Sequence, residues 1–168
     1  MHPLARGLLA GAAGTTALNL TTYGDMLARG RPASEVPAQL VDRAARTVGI
    51  LPDEAEPTES TAPAGAGEHA ADRERTANRE QAAGALLGYA TGLGVGLLYG
   101  LARGRRRGPA AWPAAPLLGL AAMAASDLPV TAFGITDPRT WSAGSWLSDL
   151  VPHLVYGAVT AAAYEATG

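Results

Sequence analysis

Four side chains able to carry a proton or hold a cation stand in otherwise apolar stretches of this 168-residue chain: Asp25, Asp127, Asp149 and His153. Asp149 and His153 are four residues apart, hence one turn apart on one helix face, and Tyr156, Thr160 and Tyr164 continue that stripe. A carboxylate beside an imidazole suits proton transfer, because histidine changes charge near neutral pH, and both groups are suitable metal ligands. Asn19 and Tyr23, with Thr15 and Thr22, supply further hydrogen-bonding groups. Each residue also has a plainer reading. Asp149 with His153 makes a structural pair near Pro152, Asp25 pairs with Arg29 one turn later, and Ser126-Asp127 begins a turn. No His-Glu-x-x-His motif and no serine nucleophile elbow occurs, and the chain has no cysteine. No catalytic, metal-binding or cofactor-binding residue is therefore assigned, and no cofactor is expected.

Four apolar stretches position these residues, at about 4–27, 82–102, 110–135 and 146–164. The second is the clearest: 21 residues make about 31 Å of helix, the hydrocarbon thickness of a bilayer. Its opening, "GALLGYATGLGVGLLYG", repeats glycine at Gly84, Gly88, Gly92, Gly96 and Gly100. In water each would weaken a helix by about 1 kcal/mol relative to alanine, whereas in lipid the helix is nearly compulsory and small residues admit a second helix. The ladder reads as a packing seam, with Gly7, Gly11 and Gly14 of the first stretch as its natural partner. Pro129 is expected to kink or end the third stretch. Trp141, Trp146 and Tyr164 flank the fourth as interfacial anchors do.

The composition, 48% hydrophobic and 17% charged, hides an uneven distribution: seven of the 13 basic residues and ten of the 15 acids fall between 29 and 81. Within this polar insert, 34–51 has helical apolar spacing, suggesting an amphipathic helix capped by Ser34, while 52–68 is acidic, rich in Pro, Ala and Gly, and reads as a flexible linker. The second span is expected to begin as a water-exposed helix around residue 70. All thirteen basic residues are arginine, as a GC-rich bacterial genome favours, and a net charge of -2 offers no nucleic-acid footprint. The cluster "RGRRRG" at 103–108 marks a cytoplasmic loop, which makes both termini cytoplasmic.

The expected fold is all-α: a single membrane domain over 1–168, a four-helix transmembrane bundle with an amphipathic helix and linker between its first two spans. Crossing parity puts Asp25, Asp127, Asp149 and His153 toward one leaflet. A lone charge at the bilayer centre costs about 2.5–3.5 kcal/mol, so these residues are expected to meet in one polar pocket with Asn19, Tyr23 and Tyr156.

Two segments, "GAAGTTALNLTTYGDMLARGRPASEVPAQLV" (11–41) and "AAMAASDLPVTAFGITDPRTWSAGSWLSDLVPHLVYG" (121–157), resemble a set of uncharacterised actinobacterial integral membrane proteins and, more distantly, the YagU-type inner membrane proteins. The resemblance implies a small multi-span protein of the cell membrane and no particular reaction. Three functions fit the residues. The first is a structural or interaction protein of the plasma membrane that packs or oligomerises through its glycine helix, its partners being the bilayer and another copy or membrane protein. The second is a proton- or cation-linked transporter or channel using the Asp/His group. The third is a membrane-embedded, metal-dependent hydrolase.

Overall fold

The computed structural model describes residues 1–50, 66–104 and 113–168, with side chains from 74 onward in the second stretch. Five α-helices and one short 3-10 turn account for its secondary structure, and no strand occurs among the described residues. The contacts gather into two compact units, 1–33 with 88–168 and 34–87.

The larger unit begins with α1 (Pro3–Arg29). Pro3 stands at its first turn, where a missing N–H costs nothing, and the His2 imidazole accepts from the Leu4 N–H. Gly30, at φ 63°, ends the helix in the left-handed conformation that glycine adopts without penalty. The C-terminal part of α3 (Ala66–Arg103), α4 (Ala114–Ala132) and α5 (Ala143–Ala166) complete the unit. Ser142 caps α5 by accepting from the Ser145 N–H. Pro129 does not stop α4 where it stands. The helix runs three residues further and closes with Gly134 at φ 67° and a bond from the Ile135 N–H to the Val130 carbonyl. The residues 52–65 of the expected linker, and the first residues of the expected third span, lie outside the described residues.

Helix packing in this unit depends on missing side chains. A Cβ at Gly96 would come within 2.5 Å of the Gly11 Cα, one at Gly7 within 2.5 Å of the Gly96 carbonyl oxygen, and one at Gly100 within 2.5 Å of the Pro3 carbonyl oxygen. So α1 and α3 run antiparallel with their backbones in contact. Gly14 turns instead to α5, against Tyr156 and Thr160. A second close approach joins α4 to α5: a Cβ at Gly119 would meet the His153 carbonyl oxygen at 2.7 Å, and one at Gly157 the Gly119 nitrogen at 2.5 Å.

The five-glycine ladder thus does not act as one seam. Gly92, Gly96 and Gly100 face α1, Gly84 faces Pro37, and nothing lies within 4 Å of Gly88. The reason is helical geometry. A step of four residues overshoots a 3.6-residue turn by about 40°, so five glycines drift through roughly 160°, too far for one straight partner.

The smaller unit pairs α2 (Val36–Thr47) with the α3 segment up to Leu87. Pro37 packs on Gly84, Leu40 is buried, and Asp42 bonds Arg46 one turn later at 2.9 Å. The helix is shorter than the 34–51 its apolar spacing suggests. Gly49, at φ 74°, takes a left-handed turn that returns the Ile50 N–H to the Ala45 carbonyl, leaving Val48 and Ile50 exposed. Ser34 lies one residue ahead of the cap position and still accepts from the Val36 N–H.

Of the four expected spans, α3 over Glu74–Arg103 and α4 are long and apolar enough to cross a membrane. The other two, α1 and α5, have the length and fall short in composition. Arg6, four threonines and Asn19 dilute α1, and Ser148, Asp149 and His153 dilute α5.

Candidate functional site

The close approach of α4 to α5 at Gly119 and Gly157 brings the second half of α4 alongside the first half of α5. There the His153 ring bridges the two helices. Its Nδ1 lies 2.8 Å from the Asp149 carbonyl oxygen and 3.3 Å from the Asp149 carboxylate, one turn back. Its Nε2 lies 3.4 Å from the Ser126 hydroxyl on α4. Ser126 also stands 3.4 Å from the Asp127 carboxylate, which in turn faces Asp149 closely enough to interact with it. One Asp149 oxygen is buried without a hydrogen-bond partner.

These partners constrain where protons reside. Nδ1 faces only acceptors, so it carries a hydrogen. Ser126 has four acceptors within reach, the Met123 carbonyl at 2.9 Å, the Ala122 carbonyl at 3.3 Å, and the Asp127 carboxylate and Nε2 at 3.4 Å. When its hydrogen points to Nε2 the imidazole is neutral. When it points to Met123, Nε2 can donate to the hydroxyl oxygen and the ring is an imidazolium. A single hydroxyl rotation therefore accommodates both charge states. The chemistry available is reversible proton holding beside two carboxylates. Among the described residues no group of three or more His, Asp and Glu side chains is arranged to hold a metal ion.

The remaining members of the expected pocket lie elsewhere. Asp25 binds Arg29 and, at 2.8 Å, Arg31, and the same Arg29 also donates to Ser148 on α5. Asn19 is half-buried and Tyr23 exposed on α1. Tyr156, wholly buried, donates from its hydroxyl to the Gly92 carbonyl at 2.6 Å and so joins α5 to α3. Tyr156 stands nearly one turn on from His153 and about 60° around the axis, so that it meets α3 while His153 meets α4.

A second polar group forms at the opposite end of the unit, where α1 begins and α3 and α5 finish. Arg6 lies 4.1 Å above the Tyr164 ring and donates to the Tyr164 carbonyl at 2.6 Å. Tyr164 meets Tyr99 edge-on at 5.0 Å and bonds the Gly104 carbonyl, and Arg103 stands 6.0 Å from the Tyr99 ring. Residue spacing does not reveal this group, since its members are up to 158 positions apart. Antiparallel order of the helices is the signal that would have joined them.

Comparison of the chain with protein-family models, with curated proteins and with solved structures returns no match.

Proposed function

We propose that the chain is a small multi-pass protein of a bacterial plasma membrane, structural or interaction in type, whose larger unit is a transmembrane four-helix bundle. The observation that carries this reading is an inverted distribution of side chains. The interior holds Tyr99, Tyr156, Tyr164, Thr160, Thr15 and small residues, with only Leu118, Met123 and Val130 as buried large aliphatic side chains among the unit's described residues, while Leu20, Leu98 and Leu117 are 69%, 64% and 68% exposed. In water each outward leucine forgoes about 1.5–3 kcal/mol of burial, whereas in lipid it is the favoured surface.

Two further features support it. Only 22% and 33% of the apolar windows of α3 and α4 are buried, whereas the apolar core helix of a water-soluble domain would be mostly buried. In α1, the helix least like a span by composition, Thr15, Thr16 and Thr21 return their hydroxyls to carbonyls one turn back, which removes their need for water. At about 40 Å and 36 Å, α1 and α5 are long enough to cross. The glycines at 92, 96 and 100 serve internal packing, so the interaction role falls to the polar insert, which forms its own compact unit. The end bearing Arg6 and Arg103 faces the cytoplasm, with both termini.

Alkaline extraction of membranes from expressing cells tests the reading. The full chain is expected to stay in the membrane pellet; recovery in the soluble fraction would overturn it. A second reading, proton-linked transport, is favoured by the approach of Asp127, Asp149 and His153 with no arginine among them. Proton flux into liposomes that is lost in Asp127→Asn would support transport, and flux no greater than in empty liposomes would leave the interaction role.

A further inference from the structure

Ser126, His153 and Asp149 make contact in an order that has chemical meaning. The Ser126 hydroxyl oxygen lies 3.4 Å from Nε2 of His153, and the other ring nitrogen, Nδ1, lies 3.3 Å from the Asp149 carboxylate and 2.8 Å from the Asp149 carbonyl oxygen. Those two acceptors keep the hydrogen on Nδ1, which leaves the neutral ring with its lone pair on Nε2, facing a hydroxyl. A general base needs that tautomer, and serine, histidine and carboxylate in this order activate a nucleophile in unrelated folds. A separation of 3.4 Å suits a resting site, since such contacts tighten when substrate binds. A purely structural serine needs only the Met123 carbonyl at 2.9 Å, and the imidazole beside it adds a proton acceptor.

The group is open and lies near one end of the bundle. Ser126 and Asp127 are half-buried, the side chains of Asp149 and His153 keep 26% and 12% of their surface, and the exposed neighbour Ala125 is small. Leu128 on α4, with Val151 and Leu154 on α5, is exposed and offers an acyl chain an apolar surface. Six residues separate Ser126 from the end of α4 and Asp149 from the start of α5, which places the group about 9 Å inside those helix ends. At that depth water can follow the carboxylates, and the ester carbonyl of an acyl lipid, at the edge of the hydrocarbon, can descend to the hydroxyl.

We propose that Ser126 and His153 are the catalytic residues of a hydrolase for the carboxylic esters of membrane lipids, with Asp149 as the positioning residue for the His153 ring. The lipid nature of the substrate rests on the membrane reading above; the nucleophile does not. Ser126 Oγ attacks the ester carbonyl carbon as its proton passes to Nε2. The bond from that carbon to the alcohol oxygen then breaks, Nε2 gives the proton to the leaving alkoxide, and an acyl ester of Ser126 remains. Water adds to this ester and passes a proton to Nε2; collapse frees the carboxylic acid, and Nε2 restores the hydroxyl. The Asp127 carboxylate, 3.4 Å from the Ser126 hydroxyl, opposes the negative charge that forms on the carbonyl oxygen, so turnover is expected to be slow.

A fluorophosphonate carrying an alkyl chain and a fluorophore, applied to the full chain in detergent, tests the site: Ser126 Oγ would displace fluoride from phosphorus while its proton passes to Nε2. Covalent labelling is expected, with peptide mass spectrometry placing the adduct on Ser126. Ser126→Ala should lose the label, His153→Gln should slow it about a hundredfold, and Ser145→Ala should match the parent. Asp149→Asn should slow labelling about tenfold, and Asp149→Glu should recover part of that loss, which damage to the helix alone would not do. Asp127→Asn, by removing the opposing charge, should label about threefold faster; slower labelling would make Asp127 the base in place of His153 and overturn the proposal. An unlabelled chain beside a labelled control serine hydrolase, an adduct on another serine, or undiminished labelling in His153→Gln would also overturn it, and the first two need no variant to fold. Release of p-nitrophenol should be faster from p-nitrophenyl octanoate than from the acetate and absent in Ser126→Ala; preference for the acetate would overturn the lipid substrate. A chain labelled on Ser126 yet extracted by alkali loses the membrane reading and keeps the nucleophile; one retained in the membrane without label loses this site alone.

Discussion

The two halves of the larger unit are built differently although the same helices run through both. Toward Pro3 and Arg103 the helices touch backbone to backbone: every buried residue of α1 lies between Pro3 and Thr15, and the buried tyrosines Tyr99, Tyr156 and Tyr164 fill the space beside the glycines. Toward Arg29 and Ser148 no residue of α1 is buried, and Leu20, Tyr23 and Leu27 face outward. Charge follows the same division. In the sealed half arginines lie over aromatic rings and cap carbonyls. In the open half Asp25 has two arginines, while Asp127 and Asp149 have only His153 and Ser126 between them. The difference teaches that α1 seals against α3 and α5 only where its glycines lie, while the carboxylates stand beyond that seam, beside the separate α4–α5 approach of Gly119 to His153.

Three substitutions probe that division, each read by thermal unfolding in detergent. The largest effect is expected from Tyr164→Ala, which empties the sealed half of a wholly buried ring and should cost about 3–5 kcal/mol, whereas Leu27→Ala in the open half should change stability by roughly 0.5 kcal/mol or less. Equal losses would erase the distinction between the halves. Next comes Gly96→Ala, expected to cost about 2–3 kcal/mol because its methyl would strike the α1 backbone, with Gly88→Ala as the counterpart expected to cost nothing. A tolerated Gly96→Ala would mean that α1 and α3 do not pack at this distance. The smallest effect concerns charge. Asp127→Asn removes one of two facing carboxylates and should stabilise the protein slightly, by at most about 1 kcal/mol in this half-exposed setting, while Asp25→Asn removes the partner of two arginines and should destabilise it. The same sign for both would contradict the contrast drawn between them.

Much of the helical layout is legible in the sequence, and the particular misses have physical causes. Apolar runs bounded by Pro3 and Gly30 mark α1 to within two residues, because proline and glycine act locally. The end of α2 needs Gly49 to be read as a stop, and an apolar pattern running through it to Leu51 conceals that. The Asp149 and His153 pairing follows from a four-residue step along one helix. Their meeting with Ser126 does not, since it depends on the rotation of α4 set by Gly119 and Gly157, whose partners lie across helices. The same holds for Arg6 on Tyr164. Arg6 stands alone in an apolar stretch and Tyr164 looks like an interfacial anchor until α1 and α5 are known to lie side by side. The ladder from Gly84 to Gly100 misleads by its regularity, because the eye follows a four-residue step and the helix does not.

Absence of cysteine from the chain makes the central claim, lipid around the leucines of all four helices, open to one clean measurement. Leu9→Cys, Leu98→Cys, Leu120→Cys and Leu154→Cys, on α1, α3, α4 and α5, would each be exposed to a membrane-impermeant maleimide in sealed and in permeabilised vesicles, with Arg139→Cys as the aqueous reference. The expected result is that none of the four reacts in either preparation while Arg139→Cys reacts in at least the permeabilised one. Reaction of all four at the reference rate would put the leucines in water, and reaction of Leu9→Cys and Leu154→Cys alone would leave a protein of two spans rather than four.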